Sequence, residues 1–257
     1  MDDTFLAKIN SRVILLGEIH GTVEMPEFAG DLLCHFAQKK QAVMLGLEMS
    51  ESMQPMLNDY MASGGSAADR SKLLAAPFWT FASKFGMAST AILATIEKAR
   101  YLKVKGLPVL LFAFDGTNDE NTFKITDAEN TRFMRDFIMA TTIARRAAQY
   151  KNHHILVLTG NLHAVKTASE MRMASFIEKF VPVFSAKFVP TKGGQSWSCY
   201  GKSHESLTCG VSDVGADDTA SAAGYDAVIK LNAIHAAIPA INMAEASANG
   251  KSSIQIK

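Results

Sequence analysis

The sequence predicts an α/β fold, with a central, mainly parallel β-sheet flanked by helices and a cleft at the carboxyl ends of the strands. Two observations support this prediction. Apolar runs of strand length alternate with longer stretches of helical periodicity along the 257 residues, and strands separated by helices form βαβ units with parallel strands. Several runs also end in glycine, acidic or histidine residues, and open α/β sheets bind ligands at that end of their strands.

The strands are predicted from short apolar runs, which are typical of strands covered on both faces. The first run closes with Gly17-Glu18, and the others follow at intervals that leave room for helices. A polar stretch after residue 190 contains one further short candidate, at 196–200. The predicted strands of the main sheet cover residues 13–18, 42–48, 109–115, 154–159, 183–189 and 225–231.

Helices are predicted where apolar residues recur every three or four positions. Phe28 and Leu32 share one face of the first of them. Ser50 is a suitable N-cap for the second, and Gly106, followed by Pro108, ends the third. The predicted helices cover residues 25–40, 51–61, 88–105, 127–150 and 165–179.

The composition indicates how large a core the chain can form and which class of partner is not expected. Hydrophobic residues make up 48% of the chain and charged residues 20%, which permits a sizeable core and argues against global disorder. We predict one domain over residues 1–244, with a helical excursion at about 50–105, and a flexible tail over 245–257. Basic residues are scattered and the formal net charge is +1, so we expect no nucleic-acid partner.

The sequence does not determine the cellular compartment. No apolar stretch approaches the roughly 18 residues that a membrane-spanning helix needs, so we expect no transmembrane segment. The start, Met1-Asp2-Asp3, lacks the positive charge of a signal peptide. A periplasmic or exported protein from which the signal had been removed would look the same. The oligomeric state is equally open.

Three cysteines occur in the chain. Cys34 lies on an apolar helix face and is interpreted as a core residue. Cys199 and Cys209 flank a polar loop and could form a disulfide in an oxidising compartment. No Cys-x-x-Cys pair is present, which argues against a zinc ribbon and a covalent c-type haem.

Ionisable residues follow four of the predicted strands at the same kind of position. Glu18 and His20 close the first strand, Glu48 ends the second, Asp115 ends the third, and His163 follows the fourth. A single strand-terminal acid is more often a turn former or a helix cap, but four strands with this pattern indicate one site. Carboxylates beside imidazoles suit acid–base chemistry, because the acid fixes the imidazole tautomer and the imidazole moves protons near neutral pH.

Some of these residues have a second interpretation. A Zn²⁺ or Mn²⁺ ion could instead be bound by His20, His163 and Glu48. Because these ligands would come from separate strands, their spacing along the sequence does not test this interpretation. Arg135 is either half of a surface ion pair or a guanidinium that orients an acid or holds a substrate carbonyl. Trp79 is either a core residue or the wall of a pocket.

Seven short motifs occur in order between residues 13 and 231. They are Gly-Glu-x-His at 17–20, Gly-x-Glu at 46–48, Phe-Trp at 78–79, Phe-Asp at 114–115, Arg-Asp-x-x-Met-Ala at 135–140, Gly-Asn-x-His-Ala at 160–164 and Tyr-Asp-Ala-Val-Ile at 225–229. The set resembles the superfamily that joins erythromycin esterases, ChaN-like haem-uptake lipoproteins, and the Tiki and TraB proteins.

The resemblance implies an α/β fold with its cleft at strand ends and functional roles for Glu18, His20, Glu48, Arg135 and His163. In the esterase-like branch, the glutamate and histidine of the first motif activate water. Similar positions serve metal-dependent peptide cleavage in the Tiki-like branch, and the ChaN-like branch binds haem. The Gly-Glu-x-His form of this chain is closer to the esterase and ChaN-like branches than to TraB.

We therefore predict a hydrolase of ester or amide bonds. His20 would be the general base that acts on water, oriented by Glu18 or Glu48. His163 and Arg135 would stabilise the developing oxyanion. The sequence offers no Gly-x-Ser-x-Gly nucleophile elbow, which makes direct attack by water the simpler scheme.

A small-molecule substrate is expected, with Asp115, Trp79 and Asn161 as the residues that contact it. The alternative is a haem-binding or haem-uptake protein without hydrolytic activity, in which an apolar cleft and a histidine, tyrosine or methionine hold the haem. A third hypothesis is an interaction protein without catalysis.

Overall fold

Six parallel strands form the central sheet of the computed structural model, which describes residues 3–116, 128–167, 171–200, 206–217, 222–242 and 253–256. The strands are β1 (Val13–Glu18), β2 (Val43–Ser50), β3 (Val109–Asp115), β4 (His154–Gly160), β5 (Val183–Pro190) and β8 (Ala227–Leu231). Their order in space is β3-β2-β4-β1-β5-β8, with parallel pairing throughout. The predicted α/β class is confirmed.

Four of the five predicted helices are present with bounds close to those expected. They are α2 (Glu24–Gln38), α3 (Gln54–Ala62, which follows a 3₁₀ turn at Glu51–Met53), α6 (Thr90–Val104) and α7 (Ala128–Gln149). Ser50 caps the 3₁₀ turn by accepting a hydrogen bond from the Ser52 backbone N–H. Three further short helices are α1 (Asp3–Leu6), α4 (Ala67–Leu74) and α5 (Pro77–Ala82).

The predicted helix over 165–179 is wrong. In the described part of this stretch only α9 (Met173–Ile177) is helical, preceded by α8 (Asn161–Ala164), while residues 168–170 lie outside the described residues. Val165 leaves α8 in an extended conformation, with φ −70° and ψ 133°. The Lys166 backbone N–H then donates to the Gly224 carbonyl. A long-range backbone contact overrides helix propensity at this point.

Apolar clusters cover both faces of the sheet. Along β1, Ile14 and Leu16 belong to one cluster, and Val13 and Leu15 belong to the other, as the alternation of strand side chains requires. Strands buried on both faces read as continuous apolar runs, which is why the sequence identified them. None of the described helices is long and apolar enough to cross a membrane.

A second, small sheet is built from the last third of the chain. β6 (Gly194–Tyr200) pairs antiparallel with β7 (Ser206–Val214), which also pairs with β9 (Ser253–Ile256). The sequence predicted β6 but not the other two strands of this sheet. Cys199 and Cys209 lie opposite each other and form a disulfide, and Cys34 is free. Apart from β9, the tail predicted over 245–257 lies outside the described residues.

Candidate active site

The predicted acids and histidines meet at the carboxyl edge of the sheet. Glu18, at the end of β1, lies in register with Gly160, at the end of the neighbouring strand β4. The acids are buried, whereas the His20 and His163 side chains are 24% and 12% exposed. Direct contacts join six of the predicted residues: Glu18, His20, Glu48, Asp115, Arg135 and His163.

Glu18 and His20 form one acid–imidazole pair. Glu18 Oε1 lies 2.9 Å from His20 Nδ1. Burial alone would lower the pKa of His20, but the hydrogen bond to Glu18 and the charges of Glu48 and Glu18 outweigh burial and raise that pKa above its ordinary value. Burial also raises the pKa of Glu18, against the opposing effect of His20. His20 therefore binds a proton more readily than a free histidine.

His163 and Asp136 form a second acid–imidazole pair. Asp136 Oδ1 lies 2.5 Å from His163 Nδ1. Asp136 is buried on α7, and Arg172, which precedes α9, places its Nη1 4.0 Å from the other carboxylate oxygen of Asp136. As in the first pair, the acid engages Nδ1 and leaves Nε2 to face the rest of the cluster.

Glu48 lies at the centre of the cluster. Its Oε1 accepts a 2.6 Å hydrogen bond from Arg135 Nη2, and its Oε2 accepts hydrogen bonds from the Thr159 hydroxyl at 2.7 Å and the Gly160 N–H at 2.8 Å. Burial would raise the pKa of Glu48, but the charges of the two imidazoles and Arg135, together with the Gly160 N–H, hold it well below its ordinary value. Glu48 is therefore a fixed anion and a poor general base.

Arg135 links the carboxylates of β2 and β3. Its Nη2 lies 2.7 Å from Asp115 Oδ2, in addition to the contact with Glu48, and its Nε donates to the same Asp115 oxygen at 3.1 Å. Burial would lower the pKa of Arg135, but the charges of Glu48 and Asp115 outweigh burial and raise it further. Arg135 is therefore a permanent cation. Its Nη1 lies 3.4 Å from His163 Nε2.

Both imidazoles direct their Nε2 atoms toward Glu48. His20 Nε2 lies 3.8 Å from Glu48 Oε2, and His163 Nε2 lies 3.6 Å from Glu48 Oε1. Both distances exceed a hydrogen bond, so neither Nε2 is committed to the carboxylate. The arrangement supplies two imidazole nitrogens for proton transfer and one guanidinium for negative charge, and the acid–base pairing predicted from the strand ends is present.

Two predicted substrate contacts lie apart from this network. Trp79 is fully buried in an apolar cluster, and its Nε1 has no hydrogen-bond partner among the described residues. Asn161 begins α8, and its backbone carbonyl accepts a 2.7 Å hydrogen bond from the Tyr225 hydroxyl. No hydrogen bond within the described part of the chain joins either side chain to the cluster. Their role in substrate binding stays a prediction.

Asp136 and Thr159 were missed by the sequence argument. Asp136 belongs to the Arg-Asp-x-x-Met-Ala motif at 135–140, but the sequence assigns it no role of its own. It lies on the face of α7 that also carries Ala140 and Ile143, both buried, and an acid on an apolar helix face is a signal that could have found it. Thr159 lies inside an apolar strand, and nothing in the sequence distinguishes it from a packing residue.

The geometry does not fit the metal site predicted from His20, His163 and Glu48. Both oxygens of Glu48 already accept hydrogen bonds. The Arg135 guanidinium contacts both Glu48 and His163, which places a fixed positive charge where a cation would have to bind. In the portion of the chain that the structure describes, no group of three or more His, Cys, Asp or Glu side chains could hold a metal ion.

Gly160 makes room for His20, which gives a direct test of the geometry. A Cβ at this position would lie 2.9 Å from His20 Nε2, while its φ of −55° and ψ of 140° suit alanine. We expect Gly160→Ala to fold normally, because the flexible end of His20 can move away. The pKa of His20, measured by NMR titration, should fall toward its ordinary value. Gly64→Ala is the control, because its Cβ meets no atom within 4 Å. An unchanged His20 titration in Gly160→Ala would contradict this placement.

Two solved structures share this fold, although no family model and no curated protein sequence matches the chain. A mutant of erythromycin esterase EreC in its open conformation has a TM-score of 0.62 at 13% identity, over 86% of this chain and 81% of that chain. A succinoglycan biosynthesis protein has a TM-score of 0.60 at 11% identity, over 84% of this chain and 74% of that chain.

A structure of cofacial haem binding to ChaN of Campylobacter jejuni has a TM-score of 0.46 at 14% identity, over 72% of this chain and 84% of that chain. That score is too low to establish a common fold. The similarity to erythromycin esterase EreC is the stronger one, and it agrees with the resemblance of the sequence motifs. The chain has the fold of erythromycin esterase EreC.

Proposed function

We propose that the chain is a hydrolase that activates water with Glu18 and His20 and cleaves an ester or amide bond in a small-molecule substrate. The observation that carries the proposal is the convergence of two acid–imidazole pairs beside one partly buried guanidinium. Paired carboxylate and imidazole groups serve general acid–base catalysis. The fold neighbour EreC is named an erythromycin esterase, which supports an ester as the first substrate class to test.

In this proposal His20 is the general base. Its Nδ1 is held by Glu18, so the partly exposed Nε2 takes a proton from water. The resulting hydroxide oxygen bonds to the substrate carbonyl carbon, and the C–O or C–N bond to the leaving group then breaks. The leaving atom takes a proton from an imidazolium. Glu48 stays ionised, and its negative charge stabilises the Arg135 guanidinium and the protonated imidazole beside the reacting groups.

Arg135 and His163 stabilise the oxyanion in this scheme. Arg135 Nη2 and Nε are engaged by Glu48 and Asp115, whereas Nη1 approaches His163 Nε2. A carbonyl oxygen within reach of Nη1 and that nitrogen would meet two donors when His163 carries both of its ring protons, because Asp136 then accepts the proton on Nδ1. Preorganised donors of this kind stabilise negative charge more strongly than water does. Asp136 acts through His163 and is a positioning residue.

The test is hydrolysis of a panel of neutral esters and amides by the full chain. We expect turnover of at least one ester, and a loss of about 10²–10⁴ in kcat/KM in His20→Asn, the size of a general-base contribution. His35→Asn is the matched control, because His35 lies on α2 away from the cluster. Full activity in His20→Asn would overturn the mechanism. A hemin-induced Soret band without hydrolysis of any panel member would favour haem binding instead.

The same assay has a pH readout. His20 must be neutral to accept a proton from water, and its pKa is raised above 6.5. The rate should therefore rise with pH through a midpoint above 6.5. Glu18→Gln removes the charge that raises the pKa, so the midpoint should fall in that variant. A midpoint that Glu18→Gln leaves unchanged would assign the titration to another group.

A further inference from the structure

His20 lies in a turn, residues 19–22, whose conformation is set by segments far away in the sequence. Gly21 follows His20 and has a φ of +74°, a left-handed conformation that favours glycine. The Gly21 N–H donates to the Gly86 carbonyl at 3.1 Å, and the Gly21 carbonyl accepts from the Trp197 and Ala237 N–H groups at 2.9 and 2.8 Å. The peptide next to His20 is therefore held from three sides.

Trp197 also packs directly against Gly21. A Cβ at Gly21 would lie 2.0 Å from the Trp197 carbonyl oxygen, so the two backbones touch without space between them. The Trp197 side chain is buried, and its Nε1 donates to the Ser83 carbonyl at 3.2 Å. That hydrogen bond connects β6 to the segment that carries Gly86. Trp197 thus joins two of the three supports of the turn.

The disulfide holds the strand that carries Trp197. β6 pairs along its length with β7 at the edge of the small sheet, and its other side contacts the backbone of Ile234 and Gly21 at isolated points. Cys199 is two residues beyond Trp197, and its bond to Cys209 ties β6 to β7 covalently. Without this bond, the end of β6 keeps its place by backbone hydrogen bonds and packing, which open more readily at a sheet edge.

We propose that Trp197 is a positioning residue for His20 and that the Cys199–Cys209 disulfide keeps it in place, so that reduction of the disulfide weakens the alignment of His20 with Glu18. A dithiol reductant supplies the two electrons and two protons that convert the disulfide to two thiols and is itself oxidised to a disulfide. The effect on turnover rests on the proposed hydrolase function, but the effect on His20 does not.

The first test measures His20 by NMR titration in a Cys34→Ser background, before and after reduction with dithiothreitol. Glu18, Glu48 and Arg135 are the charged groups that face His20. We expect the pKa of His20 to fall by about one unit on reduction, the size that loss of one close opposite charge gives. Resonances of His35 and His153 should stay unchanged. The double variant Cys199→Ser, Cys209→Ser should reproduce the reduced state without reductant.

The second test changes Trp197. Trp197→Ala should shift the His20 titration in the same direction, and Trp197→Phe, which keeps an aromatic ring but loses the hydrogen bond to Ser83, should shift it by a smaller amount. Val211→Ala is the control, because Val211 lies opposite Trp197 on β7 with an exposed side chain. Circular dichroism verifies that each variant is folded.

The outcomes separate the positioning inference from the proposed function. An unchanged His20 titration after reduction and in folded Trp197→Ala would overturn the inference, whatever the activity. A shifted titration in a protein that hydrolyses nothing would support the inference and count against the hydrolase. A shifted titration with a parallel loss of kcat, at little change in KM, would support both.

Discussion

Glu48→Gln is expected to lower the free energy of unfolding by about 3–5 kcal/mol, the range found when one partner of a buried ion pair is removed. Both oxygens of Glu48 accept hydrogen bonds, from Arg135 on one side and from Thr159 and Gly160 on the other. Glutamine has the same shape but only one acceptor oxygen. Its NH₂ group must therefore face a donor, and the charge of Arg135 loses one of its two carboxylate partners.

Urea unfolding at neutral pH measures this loss, with Glu51→Gln as the matched control. Glu51 forms a 2.8 Å ion pair with Arg145, but that arginine is 65% exposed, and exposed pairs contribute only about 0–1 kcal/mol. A loss in Glu48→Gln no larger than in Glu51→Gln would contradict the central position of Glu48.

The contribution of Glu48 to the free energy of unfolding should decrease as the pH falls. The pKa of Glu48 is lower in the folded than in the unfolded chain, so its contribution to stability is present above the ordinary value of 4.5 and is lost as the pH falls toward the folded value. Glu48→Gln should flatten the acid limb of the stability curve.

Asp136→Asn is expected to lower kcat by about 10²–10⁴, since a buried acid that fixes an imidazole tautomer has an effect of that order in other hydrolases. The carboxylate accepts the Nδ1 proton of His163, and its negative charge stabilises the imidazolium, whose Nε2–H is the donor proposed for the oxyanion. Asparagine can still contact Nδ1, but it carries no charge with which to stabilise the imidazolium. The form of His163 that donates from Nε2 to the oxyanion therefore becomes less favourable.

Steady-state kinetics on the best panel substrate measure this effect, and ¹⁵N chemical shifts of His163 report the tautomer directly. Asp31→Asn is the control, because Asp31 pairs with Lys98 on the surface. A normal kcat in Asp136→Asn together with changed ¹⁵N shifts of His163 would remove His163 from oxyanion stabilisation.

The carboxyl-edge cluster was predictable because its members follow apolar runs. Glu18 ends β1 and Glu48 lies two residues before the end of β2, and both strands are buried on both faces, so the positions of the two acids could be identified without knowledge of the strand order. Asp136 reaches the cluster from the middle of α7, where the sequence marks only a helix. The partner of each acid depends on which strands are neighbours, and a single sequence leaves that order open.

The two errors in the predicted elements have different causes. β7 follows β6 closely and alternates Leu207, Cys209 and Val211 with small residues, the pattern of a half-buried strand. It has no continuous apolar run like those that identified the main sheet. The predicted helix over 165–179 loses its first turn to a contact with Gly224, where a distant backbone partner overrides the local preference.

The strand order also determines when the site can form during folding. β4 inserts between β1 and β2, although both precede it in the chain by more than a hundred residues. A nascent chain that has not yet reached residue 154 has the β1 and β2 sequences but no strand to join them, and their unpaired edges can bind other chains. Insertion of β4 closes the sheet and brings Gly160 and His163 beside Glu18 and Glu48. Closure of the sheet and assembly of the cluster are therefore one late event, and a chain that ends before β4 lacks the cluster.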